Sequence, residues 1–296
     1  MASLGLMVTT IARPTLEATL DAIADRGIRS VQFDLACAGA HTLPAHIDDA
    51  LCDRVRRAFA ARDLTMAALS GTFNMIHPDL RERAAGLEGL RTVLPACRAL
   101  GVAVVTLCTG TRDAANMWRR HPANDTPEAW TDLVTGLRAA VRMADAQGVT
   151  LAFEPEVANV VDSAQKARRL LDEVGSPRLK VVMDPANIFH HGELPHMRAM
   201  IEEAFALLGA DIALAHAKDL DHDGEAGYRP AGRGVLDYPL YLGLLQRVGF
   251  TGAVILHGLA EEDVASCLTA VRDAVPPGFW STSPVSGLDA ADTPHA

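Results

Sequence analysis

The sequence predicts an α/β protein built as a (β/α)8 TIM barrel. Short apolar runs and stretches of helical periodicity alternate eight times along the chain. In the second half those runs end on side chains that carry chemistry: LAFEPE on Glu154, LKVVMDPAN on Asp184, IALAHAKD on His216 and GAVILHGL on His257. A chain of 296 residues is also the size of one such barrel, whose strand ends converge on the C-terminal rim where active sites sit.

Each element has its own signal. LGLMV (4–8) reads as the first strand. Pro14 and Thr15 open a helix to Arg26 with Leu16, Leu20 and Ile23 on one stripe, and Gly27 stops it. IRSVQFD (28–34) is the second strand, followed after a Gly/His/Pro loop by a helix over 48–62. LTMAALSG (64–71) and VAVVTL (102–107) are strands three and four, with a helix over 79–100 between them, closed by Gly101. A long polar loop leads to a helix over 127–147, closed by Gly148. The rhythm then repeats: strand 149–154, helix 160–174, strand 179–184, helix 194–208, strand 212–216, helix 237–248, strand 252–257 and helix 261–274. Between 217 and 236 lies a long loop with a GxG at Gly232 and Gly234, without the spacing of a dinucleotide fingerprint. Residues 1–275 form the barrel domain, and 276–296, rich in Pro, Gly, Ser, Asp and Ala, a C-terminal tail on which Phe279 and Trp280 offer docking points.

Composition narrows the function classes. The hydrophobic content of 49% and charged content of 22% are those of a globular protein. A formal net charge of −10 argues against non-specific binding to nucleic acid or to an anionic membrane, and no apolar run is long enough to span a bilayer. Cys37, Cys52, Cys97, Cys108 and Cys267 are scattered and odd in number, so free thiols in a reducing compartment are expected. The N-terminus lacks a charged region ahead of a long apolar core, and the expected location is the cytoplasm.

Taken singly, a carboxylate at a strand end most often caps a helix, and a His after an apolar run most often bonds at the rim. Four successive strands each delivering a ligand type at one depth make a different expectation: Glu154, Asp184, His216 and His257 hold one divalent metal ion. Two nitrogens and two carboxylates suit Mn2+, Co2+, Fe2+ or Zn2+ better than Mg2+, with Mn2+ preferred here. Lys218 and Arg233 are candidates for holding substrate oxygens or a phosphate. Asn74, His77, Trp118, His190 and His191 are candidates for the mouth of the site. Glu156 is placed either in the site or against an exposed arginine.

From LAFEPE to VILHGL the chain resembles the sugar phosphate isomerase/epimerase family of xylose-isomerase-like TIM barrels, which includes ketose 3-epimerases and the endonuclease IV type of DNA-repair enzyme. That resemblance implies a metal held by a Glu, an Asp, a His and a Glu after strands five to eight, and a homo-oligomer. Glu154, Asp184 and His216 match the first three, while His257 stands where relatives carry the second Glu. Asn187 stands where many relatives carry a His, and GRGVLDY (232–238) resembles the family loop after strand seven. GTFNMIHP (71–78) and CTGTRD (108–113) occupy loops that touch substrate in such enzymes.

The function so implied is isomerisation or epimerisation of a sugar or sugar derivative. Glu154 would take a proton from the carbon beside a carbonyl while a divalent ion stabilises the enediolate. His257, either ligand or second base, is the other catalytic candidate, and Asn187, Glu156, Lys218 and Arg233 are assigned to substrate binding with Asn74, His77 and Trp118. The alternatives are a metal-dependent lyase or hydrolase of an oxidised keto glycoside, and a non-catalytic carbohydrate-binding barrel. DNA cleavage is disfavoured by the charge of −10 and by Asn187.

Overall fold

A computed structural model describes residues 1–275 and 278–280. Eight strands run β1 (Ser3–Met7), β2 (Ser30–Phe33), β3 (Thr65–Ser70), β4 (Val104–Cys108), β5 (Thr150–Glu154), β6 (Leu179–Met183), β7 (Ile212–Ala217) and β8 (Ala253–Leu256). They pair in parallel in chain order, and β1 also pairs with β8, closing the barrel. Eight helices surround it: α1 (Leu16–Ala24), α2 (Asp49–Ala60), α3 (Leu80–Leu100), α4 (Pro127–Gln147), α5 (Ala164–Val174), α6 (Met197–Leu208), α7 (Tyr238–Arg247) and α8 (Val264–Asp273).

Helix boundaries follow local chemistry. Thr15, Asp48, Asp79, Thr126, Ser163 and Asp237 each accept a backbone N–H in the first turn of the following helix. Thr15 is therefore the cap of α1, and the helix begins at Leu16, two residues inside the boundary expected from Pro14. The start of α5 moves from 160 to 164, because Glu156–Val161 forms a turn closed by the Glu156 N–H on the Val161 carbonyl before Ser163 caps the helix. Residues 194–196 form a separate 3-10 turn ahead of α6. Gly101, Gly148 and Gly175 end their helices in the left-handed region, where a Cβ would be strained.

The core has two compartments, and the period-2 alternation of the strands separates them. On β5, Leu151 and Phe153 belong to the large cluster between strands and helices, whereas Ala152 belongs to a small cluster with Met7, Ala68, Val182, Leu214 and Ile255 that fills the barrel. Two residues beyond Ala152, Val182, Leu214 and Ile255 stand Glu154, Asp184, His216 and His257, on the same parity and one layer nearer the C-terminal rim.

Of the tail, Phe279 is buried and accepts the Ala2 N–H at 2.8 Å, and Trp280 bridges to Ala2. The rest, 276–277 and 281–296, lies outside the described residues. All five cysteines are free, and no described helix is long and apolar enough to cross a membrane.

Candidate metal centre and active-site cavity

Three of the four expected ligands converge. One donor atom each from Glu154, Asp184 and His216 lies within 4.8 Å of the others. His216 Nδ1 stands 3.4 Å from Glu154 Oε1 and 3.8 Å from Asp184 Oδ2. Behind the ring, His216 Nε2 meets Gln32 Oε1 at 2.8 Å, and Gln32 donates its amide to Thr106 Oγ1. An amide oxygen only accepts, so the proton of His216 belongs on Nε2 and the Nδ1 lone pair faces the two carboxylates. Tyr241 ties the two neighbouring strands at this depth, its hydroxyl lying 3.0 Å from both the Met183 and His216 carbonyls.

Asp184 does two jobs. Its Oδ1 caps the short turn that follows by accepting the Ala186 N–H, leaving Oδ2 for the site. Asn187, fully buried behind the carboxylates, donates to Glu154 Oε1 at 2.6 Å and faces Asp184 Oδ2 at 3.4 Å, while its own oxygen accepts the Gly227 N–H. Lys218, on the parity of His216, places Nζ 3.2 Å from Asp184 Oδ2 and 3.9 Å from Glu154 Oε1.

His257 stands beside the triad instead of within it. Its ring stacks on His216 at 5.0 Å with an interplanar angle of 1°, and its buried Nδ1 has no partner among the described residues. Burial, reinforced by Lys218 and His216, pushes its pKa down to about 3 and keeps the ring neutral. Burial would raise the Glu154 carboxyl, but His216 and Lys218 outweigh it and hold Glu154 well below the usual carboxylate range. Asp184, deeper in, is raised by its burial and by Glu154 against the pull of Lys218. Burial and the neighbouring Glu154 lift Glu156 to about 8, so it is a neutral acid at pH 7.

These residues fit a divalent cation. A ring lone pair and two carboxylates aimed at one point form a mixed nitrogen and oxygen set of the kind that Mn2+, Fe2+, Co2+ and Zn2+ accept. The orphaned His257 Nδ1 adds a donor beside it.

Glu154 and His216 open into a cavity of about 480 Å³ whose strand residues, Leu107 apart, share the inward parity, among them Met7, Gln32, Ser70 and Thr106, with Glu156 and Lys218 just beyond β5 and β7. Parity settles the position left open for Glu156, which shares the face of Glu154 and is 5% exposed. Trp118 reaches the cavity wall from the loop after β4. Asn74 and His77 lie in an adjoining hollow, where both act on loop backbone: Asn74 bonds to Thr111 on both faces of its amide, and His77 spans the Asp79 N–H and the Ala114 carbonyl.

Arg233 points away from the cavity and donates to Ser266 Oγ at 3.2 Å, since its loop is wound around buried Asp219, which accepts the N–H groups of Leu220, Gly232 and Leu236. His190 sits near Asp162 and Glu193, and His191 near Asp223, neither in the cavity wall. Gln32, Thr106 and Ser70 were missed as site residues, although each lies on the inward parity of its strand, Gln32 and Ser70 near the C-terminal end and Thr106 at the middle of β4.

Comparison with known proteins agrees with this architecture. The family described as xylose isomerase-like TIM barrel matches residues 20–268. L-ribulose-5-phosphate 3-epimerase UlaE of Escherichia coli is 27% identical over 195 residues, 65% of this chain and 63% of that protein, so the chain spans less than two thirds of the length of such curated relatives. Among solved structures, a D-tagatose 3-epimerase-like protein superposes with a TM-score of 0.73 at 14% identity, covering 92% of this chain and 96% of the other. The IOLI protein, solved with a zinc atom, superposes at 0.68 with 17% identity, covering 92% and 96%. Two of these relatives are named as a sugar epimerase or as epimerase-like, and with 20–268 matched the chain belongs to the xylose isomerase-like TIM barrel family.

Proposed function

We propose that this chain is a divalent-metal-dependent isomerase or epimerase of a sugar or sugar derivative, acting by proton abstraction beside a carbonyl. The observation that carries the reading is the convergence of Glu154, Asp184 and His216 within 4.8 Å at the open end of the barrel. Those three residues would hold the ion, Mn2+ by preference with Co2+, Fe2+ or Zn2+ as alternatives, and the ion would supply Lewis-acid charge to the substrate's carbonyl and hydroxyl oxygens.

Glu154 is the base: it is ionised, lines the cavity and is held at a fixed angle by the Asn187 amide. Lys218 offers its ammonium to the oxygen that gains charge. Glu156, a neutral acid, can donate a hydrogen bond to a substrate hydroxyl. His257, neutral and apart from the three converging donors, stands on the cavity wall with its Nδ1 left as a hydrogen-bond partner for the substrate. A lyase acting on a keto glycoside would begin with the same proton transfer, and a His in place of a second carboxylate favours it as the second reading. The five free cysteines support a cytoplasmic setting, and the family resemblance supports a homo-oligomer.

Glu154→Gln tests the assignment. In deuterated water, with Mn2+ added, exchange of the proton beside the carbonyl should fall by roughly 10²–10⁴-fold, the usual worth of a positioned base. Undiminished exchange would remove Glu154 from that role, and sugar binding without any exchange would point to a binding barrel.

A further inference from the structure

We propose that the site is built for an unphosphorylated glycoside, with the carbonyl sugar over Glu154, Asp184 and His216 and a second, uncharged ring in the hollow beyond Trp118. The inference rests on the sugar-directed reading above and names its substrate class. The cavity does not end at its first wall. Thr72 and Met117 belong both to it and to a second hollow of about 510 Å³ between the loops after β3 and β4, so the two adjoin. Trp118, next to Met117, is 53% exposed and forms part of the first wall. An indole face left open beside a sugar site is a surface on which the apolar face of a pyranose stacks. Together the two hollows have room for a disaccharide-sized ligand, more than a single pentose or hexose fills.

Neither wall offers a phosphate an arginine. Among the described residues, Lys218 is the only Lys or Arg in either wall, and it stands beside Asp184 and Glu154 at the carbonyl end of the site, away from the second hollow. The nearby guanidiniums are also taken: Arg112 by Asp132 and the Ile76 carbonyl, Arg119 by Asp113, and Arg120 by Asp125 and Asp162. The walls instead carry the carboxylates of Asp34 and Glu82. Glu156 is 5% exposed, lines the cavity and bonds to no described side chain, so its carboxyl is left for a ligand. A sugar hydroxyl satisfies it.

The test measures binding by calorimetry on the intact chain with Mn2+, in two matched series: D-fructose, D-fructose 6-phosphate and lactulose, and 3-keto-glucose with its methyl and phenyl glycosides. In at least one series the glycoside with the larger second group should bind about tenfold more tightly than the parent sugar, and the phosphate ester more weakly. Trp118→Ala should shrink the glycoside-to-parent ratio below about threefold. A phosphate ester that binds best, glycosides no tighter than their parents in both series, or a ratio untouched by Trp118→Ala would overturn the inference. Proton exchange on the same panel separates the two claims. Glycoside preference without exchange would sink the proposed chemistry alone, whereas exchange confined to free or phosphorylated sugars would sink the glycoside assignment alone.

Discussion

Lys218 is the residue whose replacement tests the electrostatics of the site most directly. Its ammonium stands 3.2 Å from Asp184 Oδ2 and 3.9 Å from Glu154 Oε1, with side chains 8%, 0% and 17% exposed. At an effective dielectric near 20 those separations give gross attractions of about 5 and about 4 kcal/mol, much of it offset by the desolvation of three charges. Lys218→Met keeps most of the side-chain volume and leaves two buried carboxylates without their cation. Loss of one partner from such a group costs about 3–5 kcal/mol. In a domain of this size that is a fall in Tm of roughly 5–9 °C. A divalent ion should then take over the lysine's role. At a concentration about 100 times its Kd it returns about 2.7 kcal/mol, roughly 5 °C. The wild type should gain less, because its ammonium competes for Asp184. Calorimetric melting of both proteins with EDTA, Mn2+, Co2+ and Zn2+ measures this. A variant that melts like the wild type in EDTA would refute the neutralising role of Lys218, and one that melts lower but answers to no ion would refute the metal centre.

Other residues make further predictions. Asp219 is 1% exposed and accepts three backbone N–H groups of the 217–236 loop, so Asp219→Ala should cost about 3 kcal/mol and open that segment to proteolysis and hydrogen exchange. An unaltered digestion pattern would show that the loop does not depend on it. Burial would raise Asp162, but hydrogen bonds from His190 and Lys166 outweigh it and bring its pKa to about 2 from 3.8. A depressed carboxylate contributes stability above its ordinary pKa and loses it as pH falls from 3.8 towards 2. The contribution near neutrality is about 2 kcal/mol. In urea titrations Asp162→Asn should be less stable than the wild type by about that amount at pH 6, with the gap closing near pH 2. A gap of constant size would assign the loss to packing. Gly234→Ala should destabilise the same loop, because its Cβ would lie 2.2 Å from the Leu220 carbonyl oxygen, and unchanged urea unfolding would contradict that.

What the sequence determined by itself was local and periodic. Eight apolar runs separated by capped helices specify eight strand–helix units, since caps such as Thr126 and Ser163 and stops such as Gly148 act within a turn of their own position. Strand parity also placed Glu154, His216 and the interior residues beneath them on one face, because successive side chains alternate whatever the rest of the chain does. Tertiary structure alone decided which of those residues meet. Gln32 on β2 and Thr106 on β4 reach across the closed barrel to orient His216 on β7, a relation that no spacing in the chain encodes. Barrel closure likewise set His257 beside the triad, stacked on His216. The winding of the 217–236 loop around Asp219 turned Arg233 outward to Ser266. Short-range patterning fixes where a side chain faces along its own strand, whereas the distances between strands depend on register and closure, which the whole sheet settles together.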